Sequence, residues 1–356
     1  MRCKVGSMLI FVCFFVIACS TDDDTGSLNQ TEEQTEADSV EVIAENLDIP
    51  WAIEKVGDTF FITERPGTIV KIENGQVNRQ YVELERELAD SAEAGLLGFA
   101  LAPHFAETNE AYGYYTYVDD EGQFNRIVTL QLNGDTWIEE DVLVDRIPSG
   151  TYHHGGRLKI GPDNKLYATT GDASEPDLAQ NMESLGGNIL RLNIDGSIPE
   201  DNPFEDSYVY SYGHRNPQGL AWTDVGTLYA SEHGSNANDE INQIEAGNNY
   251  GWPVIEGNEQ QEGLVTPIFT SGADTTWAPS GMAYHDGKLY VAALRGTAVL
   301  AFDLETEGYE EVVSDIGRVR DVWIEQDNLY VVTNNTDGRG TPGEADDILY
   351  KVSLEK

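Results

Sequence analysis

One short pattern recurs six times along this chain. A small or apolar residue opens a strand, a turn with Gly or Asp follows, a second strand carries an aromatic, and a polar turn leads to a closing strand. It appears as Trp51-Ala52-Ile53 with Thr59-Phe60-Phe61-Ile62, as Gly95 to Phe99 with Tyr112 to Tyr115, and as Gly156-Arg157-Leu158 with Lys165 to Ala168. It returns as Gly219 to Trp222 with Thr227 to Ala230, as Gly281 to Tyr284 with Lys288 to Val291, and as Asp321 to Ile324 with Asn328 to Val331. The units are spaced roughly 40 to 63 residues apart, and a period of that size with several short strands per unit marks a propeller. No long segment shows 3.6-residue amphipathic periodicity, and no helix-then-strand alternation argues for a parallel sheet. The pattern therefore predicts an all-β domain over residues 41–356, a six-bladed β-propeller with four-stranded antiparallel blades.

Composition narrows the function. The chain has 356 residues, 40% of them hydrophobic and 10% aromatic, enough for a large all-β core. Its formal net charge is −42, the reverse of the basic footprint a nucleic-acid binder needs. At the N-terminus Arg2 and Lys4 precede an apolar run, Met8 to Ala18, that is short for a bilayer span. The run ends in Val16-Ile17-Ala18-Cys19-Ser20, which resembles a bacterial lipoprotein cleavage box. Residues 1–18 are thus expected to be a lipoprotein signal, Cys19 the lipidated residue, and residues 19–40, polar and acidic, a flexible tether. Export to the periplasmic or cell-surface side follows, with the membrane reached only through the lipid. Cys3 and Cys13 would leave with the signal, so no disulfide within the mature chain is possible.

A propeller gathers the residues that precede each innermost strand near its axis. Those positions are Ile49-Pro50-Trp51, Glu93, His153, Arg215 to Gln218, Trp277 to Ser280 and Arg318 to Arg320. They include many of the scarce cations, in a chain with only 21 Lys and Arg. Imidazole titrates near neutral pH and can take a proton, while guanidiniums grip anions in planar forks. Trp51, Trp222, Trp252 and Trp323 recur at blade-like intervals and read as packing between blades. No phosphate loop, dinucleotide glycine motif, Cys/His zinc site or Ser triad is present.

The ordered set Glu93-Ala94-Gly95-Leu96-Leu97-Gly98, His153 to Leu158, Gly213-His214-Arg215-Asn216-Pro217-Gln218-Gly219-Leu220, Ser231-Glu232-His233-Gly234, Asp239-Glu240-Ile241-Asn242, Asn249-Tyr250-Gly251-Trp252-Pro253, Ala278-Pro279-Ser280-Gly281 and Arg318-Val319-Arg320-Asp321-Val322 resembles the soluble glucose/sorbosone dehydrogenases. These are aldose dehydrogenases on a six-bladed propeller that depend on pyrroloquinoline quinone (PQQ). The resemblance covers roughly residues 42 to 355. It implies oxidation of an aldose at the anomeric carbon to a lactone, with His153 as general base, hydride passing to the quinone, and electrons leaving to an acceptor such as a quinone, cytochrome or dye. It places Arg215 and Asn216 against the quinone with Gln218 in support, and Arg295, Arg318 and Arg320 on the cofactor's carboxylates. Arg318 and Arg320 alternate with Val319, so they point to the same strand face.

The resemblance also implies a Ca²⁺ ion on the backbone carbonyls of Gly234 and Ser235, with Asp239 and Glu240 either serving the metal or buttressing its loop. Glu93, Tyr152 and His154 fall near the sugar. Tyr152 stands where glucose-specific members carry an acidic residue, which favours a broader aldose range. Two other readings stay open from the residues alone. One is a Ca²⁺-dependent lactonase or other hydrolase, which would need carboxylates and Asn about an axial metal; the other is a propeller that binds glycans or proteins without catalysis.

Overall fold

A computed structural model describes residues 40–354. The expected signal, Cys19 and all of the tether except Val40 lie outside the described residues.

Strands dominate the described chain. After β1 (Glu41–Ala44) come β2 (Pro50–Val56), β3 (Thr59–Glu64), β4 (Thr68–Glu73) and β5 (Gln76–Glu83), which form an antiparallel meander. A second meander holds β6 (Leu96–Leu101), β7 (Glu110–Asp119), β8 (Gly122–Asn133) and β9 (Thr136–Pro148), with the single-turn α1 (Phe105–Thr108) after β6. A third is made of β10 (Leu158–Ile160), β11 (Leu166–Thr170), β12 (Asn188–Leu192) and β13 (Val209–Tyr212), and a 3₁₀ turn at Pro176–Gln180 interrupts it. Next are β14 (Pro217–Trp222), β15 (Leu228–Glu232), β16 (Glu240–Ile244) and β17 (Phe269–Thr270), then β18 (Pro279–His285), β19 (Lys288–Ala293), β20 (Ala298–Asp303) and β21 (Tyr309–Val313). The last sheet contains β22 (Val319–Glu325), β23 (Asn328–Thr333) and β24 (Leu349–Ser353), and its fourth strand is β1. Each of the six sequence repeats falls on the first two strands of one meander. The first two meanders share a parallel edge, β5 against β9, and so form one eight-stranded sheet; the other sheets have four strands each.

Period-two alternation is weak in the inner strands because both of their faces are covered. β11 and β14 are buried nearly throughout, whereas the outer strand β5 is largely exposed. The apolar core is correspondingly divided into clusters that lie between neighbouring sheets. One spans the first three meanders, others link the third to the fourth, the fourth to the fifth and the fifth to the sixth, and another joins Phe60 and Ile62 of the first to Tyr330 and Val332 of the sixth. The sheets therefore follow one another around a closed ring.

At the centre of that ring Arg157 Nη1 meets Asp321 Oδ2 at 2.9 Å, both side chains 2% exposed. Arg157 Nε also donates to the Gln218 carbonyl at 2.8 Å, and Asp321 Oδ2 accepts the Ile53 N–H at 2.8 Å. The remaining inner strands make room through glycine. A Cβ on Gly281 would lie 1.6 Å from Asp321 Oδ1, and one on Gly98 would lie 2.0 Å from the Gly156 carbonyl oxygen. Removing one partner of a buried pair leaves the other charge uncompensated, at a cost of about 3–5 kcal/mol. Asp321→Ala is expected to lower unfolding free energy by about that amount in denaturant titration; a loss below ~1 kcal/mol, the scale of an exposed pair, would contradict this account.

Candidate active site

The β9–β10 loop carries His153 in a left-handed backbone conformation (φ +65°). Non-glycine residues avoid that region and keep it only where surrounding contacts hold it. His153 Nδ1 lies 2.7 Å from Asp172 Oδ1. A carboxylate only accepts, so Nδ1 carries a hydrogen, and in the neutral tautomer Nε2 is the basic nitrogen. Asp172 is itself fixed from several sides: Oδ2 accepts Trp252 Nε1 at 2.9 Å, Oδ1 accepts the Ser174 N–H at 2.8 Å, and its own N–H donates to the Arg215 carbonyl at 2.8 Å. The imidazole is 18% exposed.

That main-chain bond brings Arg215 beside the dyad. Its guanidinium lies over the Trp252 ring, 5.3 Å from the centroid, and Nη1 donates to the His233 carbonyl at 3.4 Å. Its N–H donates to Glu232, which also pairs with the buried His214. Asn216 is buried and accepts the Gly155 N–H at 3.0 Å, tying the two His- and Gly-rich segments together.

Cations gather around the axis. A cavity of about 570 Å³ is lined by His233, Arg295, Arg318, Asn335, Arg339 and Thr341, among others. It shares His233, Leu294 and Arg339 with a narrow cleft that also touches Trp51, Arg65, Glu93, His154, Gln218 and Arg320. Arg318 pairs with Asp337 at 2.9 Å, and Arg320 Nη1 donates to Gln218 Oε1 at 2.9 Å. A bulge at the start of β22 separates these two arginines from regular alternation, so each lines its own hollow. Arg295 is exposed, and its guanidinium makes no hydrogen bond or ion pair among the described residues. Burial lowers the Arg320 guanidinium to about 9, which still leaves it charged at neutral pH. A separate groove of about 610 Å³ near Tyr112, Thr129 and Leu143 shares none of these residues.

Buried polar atoms without a partner concentrate here. They include Arg215 Nε, Arg318 Nε, His154 Nε2 and His233 Nε2. Such orphans are rare in folded proteins and point to a ligand or ordered water that completes them. The set is rich in donors, which suits a ligand with several anionic acceptors.

The other expected residues fall as follows. Tyr152 lies at the mouth, 42% exposed, with the Arg339 guanidinium 5.6 Å from its ring centroid. His154 is turned inward, its Nδ1 on Ser149 Oγ at 3.1 Å, and it lines the axial cleft. Gly234 and Ser235 sit on the β15–β16 loop, and neither carbonyl oxygen accepts a hydrogen bond from a described residue. Asp239 is occupied as a buttress: it accepts from the N–H groups of Gly234, Trp277 and Ala278 and from Thr276 Oγ1, all within 2.9 Å. Glu240 is raised to about 8, by burial first and then by Glu232, and the neighbouring Asn242 Oδ1 has no partner.

Four members escaped sequence reasoning. Asp172, Arg65 and Arg339 lie on loops after second strands, outside the segments that precede inner strands. Thr63-Glu64 and Ser231-Glu232 end a second strand in a carboxylate and Gly171-Asp172 follows directly on one, a recurrence that could have pointed to Asp172. His233 entered the sequence reading only as part of Ser231-Glu232-His233-Gly234, with no role of its own. Trp51 packs in the core cluster as expected and also lies under Arg157 (4.2 Å) and Arg320 (5.8 Å), whereas Trp252 corrects the packing assignment, since it holds Asp172 and Arg215. Trp222 does pack between meanders, edge-on to Tyr167.

Burial holds the His154 imidazole down to about 4, although Glu93 works in the opposite direction. An unfolded histidine titrates near pH 6.5, so between about 6.5 and 4 the unfolded chain binds more protons and acid weakens the fold. The thermal midpoint is expected to fall as pH drops through that window, and to fall less in His154→Gln. Identical pH dependence in the two proteins would remove His154 as a cause.

Comparison with known proteins completes the picture. The family model described as Glucose / Sorbosone dehydrogenase matches residues 47–349. The PQQ-bound aldose sugar dehydrogenase of Streptomyces coelicolor superposes with a TM-score of 0.82 at 36% identity, over 88% of this chain and 98% of that one. Aldose sugar dehydrogenase YliI of Escherichia coli (strain K12) is 30% identical over 84% of this chain and 91% of its own length. Quinoprotein glucose dehydrogenase B of Acinetobacter calcoaceticus is 36% identical over 65% of this chain and 56% of its own. This all-β chain, with its paired histidine set in an arginine-lined axis, belongs to the glucose/sorbosone dehydrogenase family of oxidoreductases.

Proposed function

We propose that the meanders are the blades of a six-bladed propeller whose axial hollow binds PQQ, and that the protein oxidises aldoses at the anomeric carbon to lactones. The observation that carries this reading is the placement of the His153–Asp172 dyad beside Arg215, within a donor-rich axis that has unpartnered buried nitrogens. PQQ has three carboxylates and two quinone oxygens, all acceptors, and the residues present match that demand. Arg215 and Asn216 would face the quinone, while Arg295, Arg318 and Arg320 would meet carboxylates, with Gln218 steadying Arg320. Bound there, PQQ would accept the hydride from the anomeric carbon.

His153 Nε2 takes the proton of the anomeric hydroxyl as that carbon loses hydride. Asp172 keeps the ring in the tautomer that leaves Nε2 free and stabilises the imidazolium once the proton has arrived. Arg215 supplies positive charge next to the reacting centre without reorganising, because Trp252 and the His233 carbonyl already hold it. Glu93 and Tyr152 would border the sugar, and the Tyr at 152 supports a broad aldose range. A Ca²⁺ ion would suit the free carbonyls of Gly234 and Ser235, a hard cation on oxygen ligands; Glu240 lies nearby and Asp239 fastens the loop. The two electrons leave to an external acceptor, a quinone, cytochrome or dye.

The hydrolase alternative asks for side-chain carboxylates around an axial metal. Among the described residues, no group of three His, Cys, Asp or Glu side chains is placed to hold one. Upstream, Cys19 as a lipid attachment point and residues 19–40 as tether would hold the enzyme on the outer side of a membrane.

The test is dye-linked oxidation over a panel of aldoses, with and without added PQQ and Ca²⁺. Turnover should require PQQ, and both His153→Ala and Asp172→Asn should lower it by about 10²–10⁴-fold. A full rate in His153→Ala, or no PQQ-dependent turnover on any aldose, overturns the proposal.

A further inference from the structure

The residue left without a role is Arg339. It lies on the β23–β24 loop, in Asp337-Gly338-Arg339-Gly340, and that loop is firmly shaped. The fully buried Asp347 accepts from the Asn335 N–H and from the Thr333 and Thr336 hydroxyls. Asp337 Oδ1 accepts the Arg339 N–H at 2.8 Å, while its Oδ2 pairs with Arg318. The loop so fixed sends Arg339 across the mouth. Its Nη1 reaches Glu93 Oε1 at 2.6 Å and its guanidinium covers Tyr152. Glu93 Oε2 in turn accepts the main-chain N–H of His153 at 3.3 Å.

We propose that Arg339 is a positioning residue for the base: by fixing Glu93 across the mouth it fixes the main chain of His153, so the histidine is held from both ends. Asp172 secures the imidazole, and the Glu93–Arg339 pair secures the backbone. A left-handed non-glycine residue needs such a hold, because its own preference is to relax to negative φ. The ring would then turn away from the position at which its Nε2 meets a substrate hydroxyl.

The electrostatics agree. Burial works to raise the Glu93 carboxyl, yet Arg339, with smaller help from His233 and His154, holds it down to about 2. Arg65 and Arg320 also face this carboxylate, as does the His153 N–H. Loss of Arg339 removes the strongest of these cationic influences, so Glu93 gains a proton at higher pH and becomes a poorer acceptor for the His153 N–H. A guanidinium with partners on two sides is also harder to replace than a point charge, so Lys at 339 should restore only part of the effect.

The relay rests on the dehydrogenase reading only for the identity of the proton that His153 takes, and its first readout needs no cofactor. Amide hydrogen exchange at His153 is measured in the full-length PQQ-free protein for wild type, Arg339→Ala, Arg339→Lys, Glu93→Ala and the Glu93→Ala/Arg339→Ala double variant. Arg339→Ala should exchange about tenfold faster than wild type, with Arg339→Lys between them. In the Glu93→Ala background the second change should add nothing, because both act through one contact. The second readout, on PQQ-reconstituted protein, is kcat/KM against pH. Arg339→Ala should lower it about 10- to 100-fold and move the acid limb upward. Unchanged exchange at His153 in Arg339→Ala, additive effects of the two alanine substitutions, or an unmoved acid limb would each overturn the relay. If wild type oxidises no aldose, the dehydrogenase reading fails by itself, and the exchange cycle still decides the role of Arg339.

Discussion

A single buried ion pair, Arg157 with Asp321, ties the centre of the ring together. Through it and its immediate neighbours all the inner strands meet: Ile53, Gly98, Gln218 and Gly281 each touch this pair or the backbone beside it. A buried pair contributes little net stability compared with apolar packing, but it is unforgiving of misplacement. Its geometry allows one relative placement of strands that are distant in the sequence. The apolar clusters between sheets could tolerate some sliding; a buried ion pair with glycine-sized clearances cannot. The loops that follow inherit this order, so residues from separate sheets meet within hydrogen-bonding distance.

The site then works by concentrating the rare charge of the chain. Acidic residues outnumber basic ones by 63 to 21, yet Arg65, Arg215, Arg295, Arg318, Arg320 and Arg339 converge on the axis. All but Arg295 are steered by a carbonyl, an amide, a carboxylate or an indole face, and Arg215 and Arg318 each keep Nε unanswered. Such an arrangement costs stability when empty, because desolvated donors lack partners. It is the kind of local penalty that sites of binding and chemistry carry. Neutral imidazoles complete it. His154 and His233 are both held to about 4 by burial, so near pH 7 they add hydrogen-bonding capacity without adding charge.

Much of the architecture could be read in the residues, because the repeat is written in local terms. A small residue, a turn and an aromatic strand recur wherever an inner strand begins, and β2, β6, β10, β14, β18 and β22 stand where that pattern puts them. The inner-strand approach segments were equally readable, which is why His153, Arg215, Asn216 and Arg320 could be named. Arg339 and Asp172 were not, since their roles depend on contacts 246 and 19 residues away in sequence. No local signal separates an arginine that crosses the mouth from one that faces water. Trp252 was misjudged for a related reason: an indole that packs and an indole that supports a guanidinium look alike in one dimension. Asp239 shows the converse, a carboxylate whose four donors come from backbone and hydroxyl groups that only the folded loop supplies.

The last sheet borrows β1 from the beginning of the chain, pairing Glu41 with Lys351 and Val42 with Tyr350. This contact joins nearly the most distant described residues, and such pairings are the slowest to form. During synthesis the earlier meanders can assemble as an open arc, but the circle stays gapped until Leu349–Ser353 emerges from the ribosome. Because Arg318, Arg320, Asp321 and Arg339 all belong to that last sheet and its loops, the central pair and the arginine-lined hollow arise in the same late event. An unfinished chain would therefore present neither, and binding competence would report that the ring had closed.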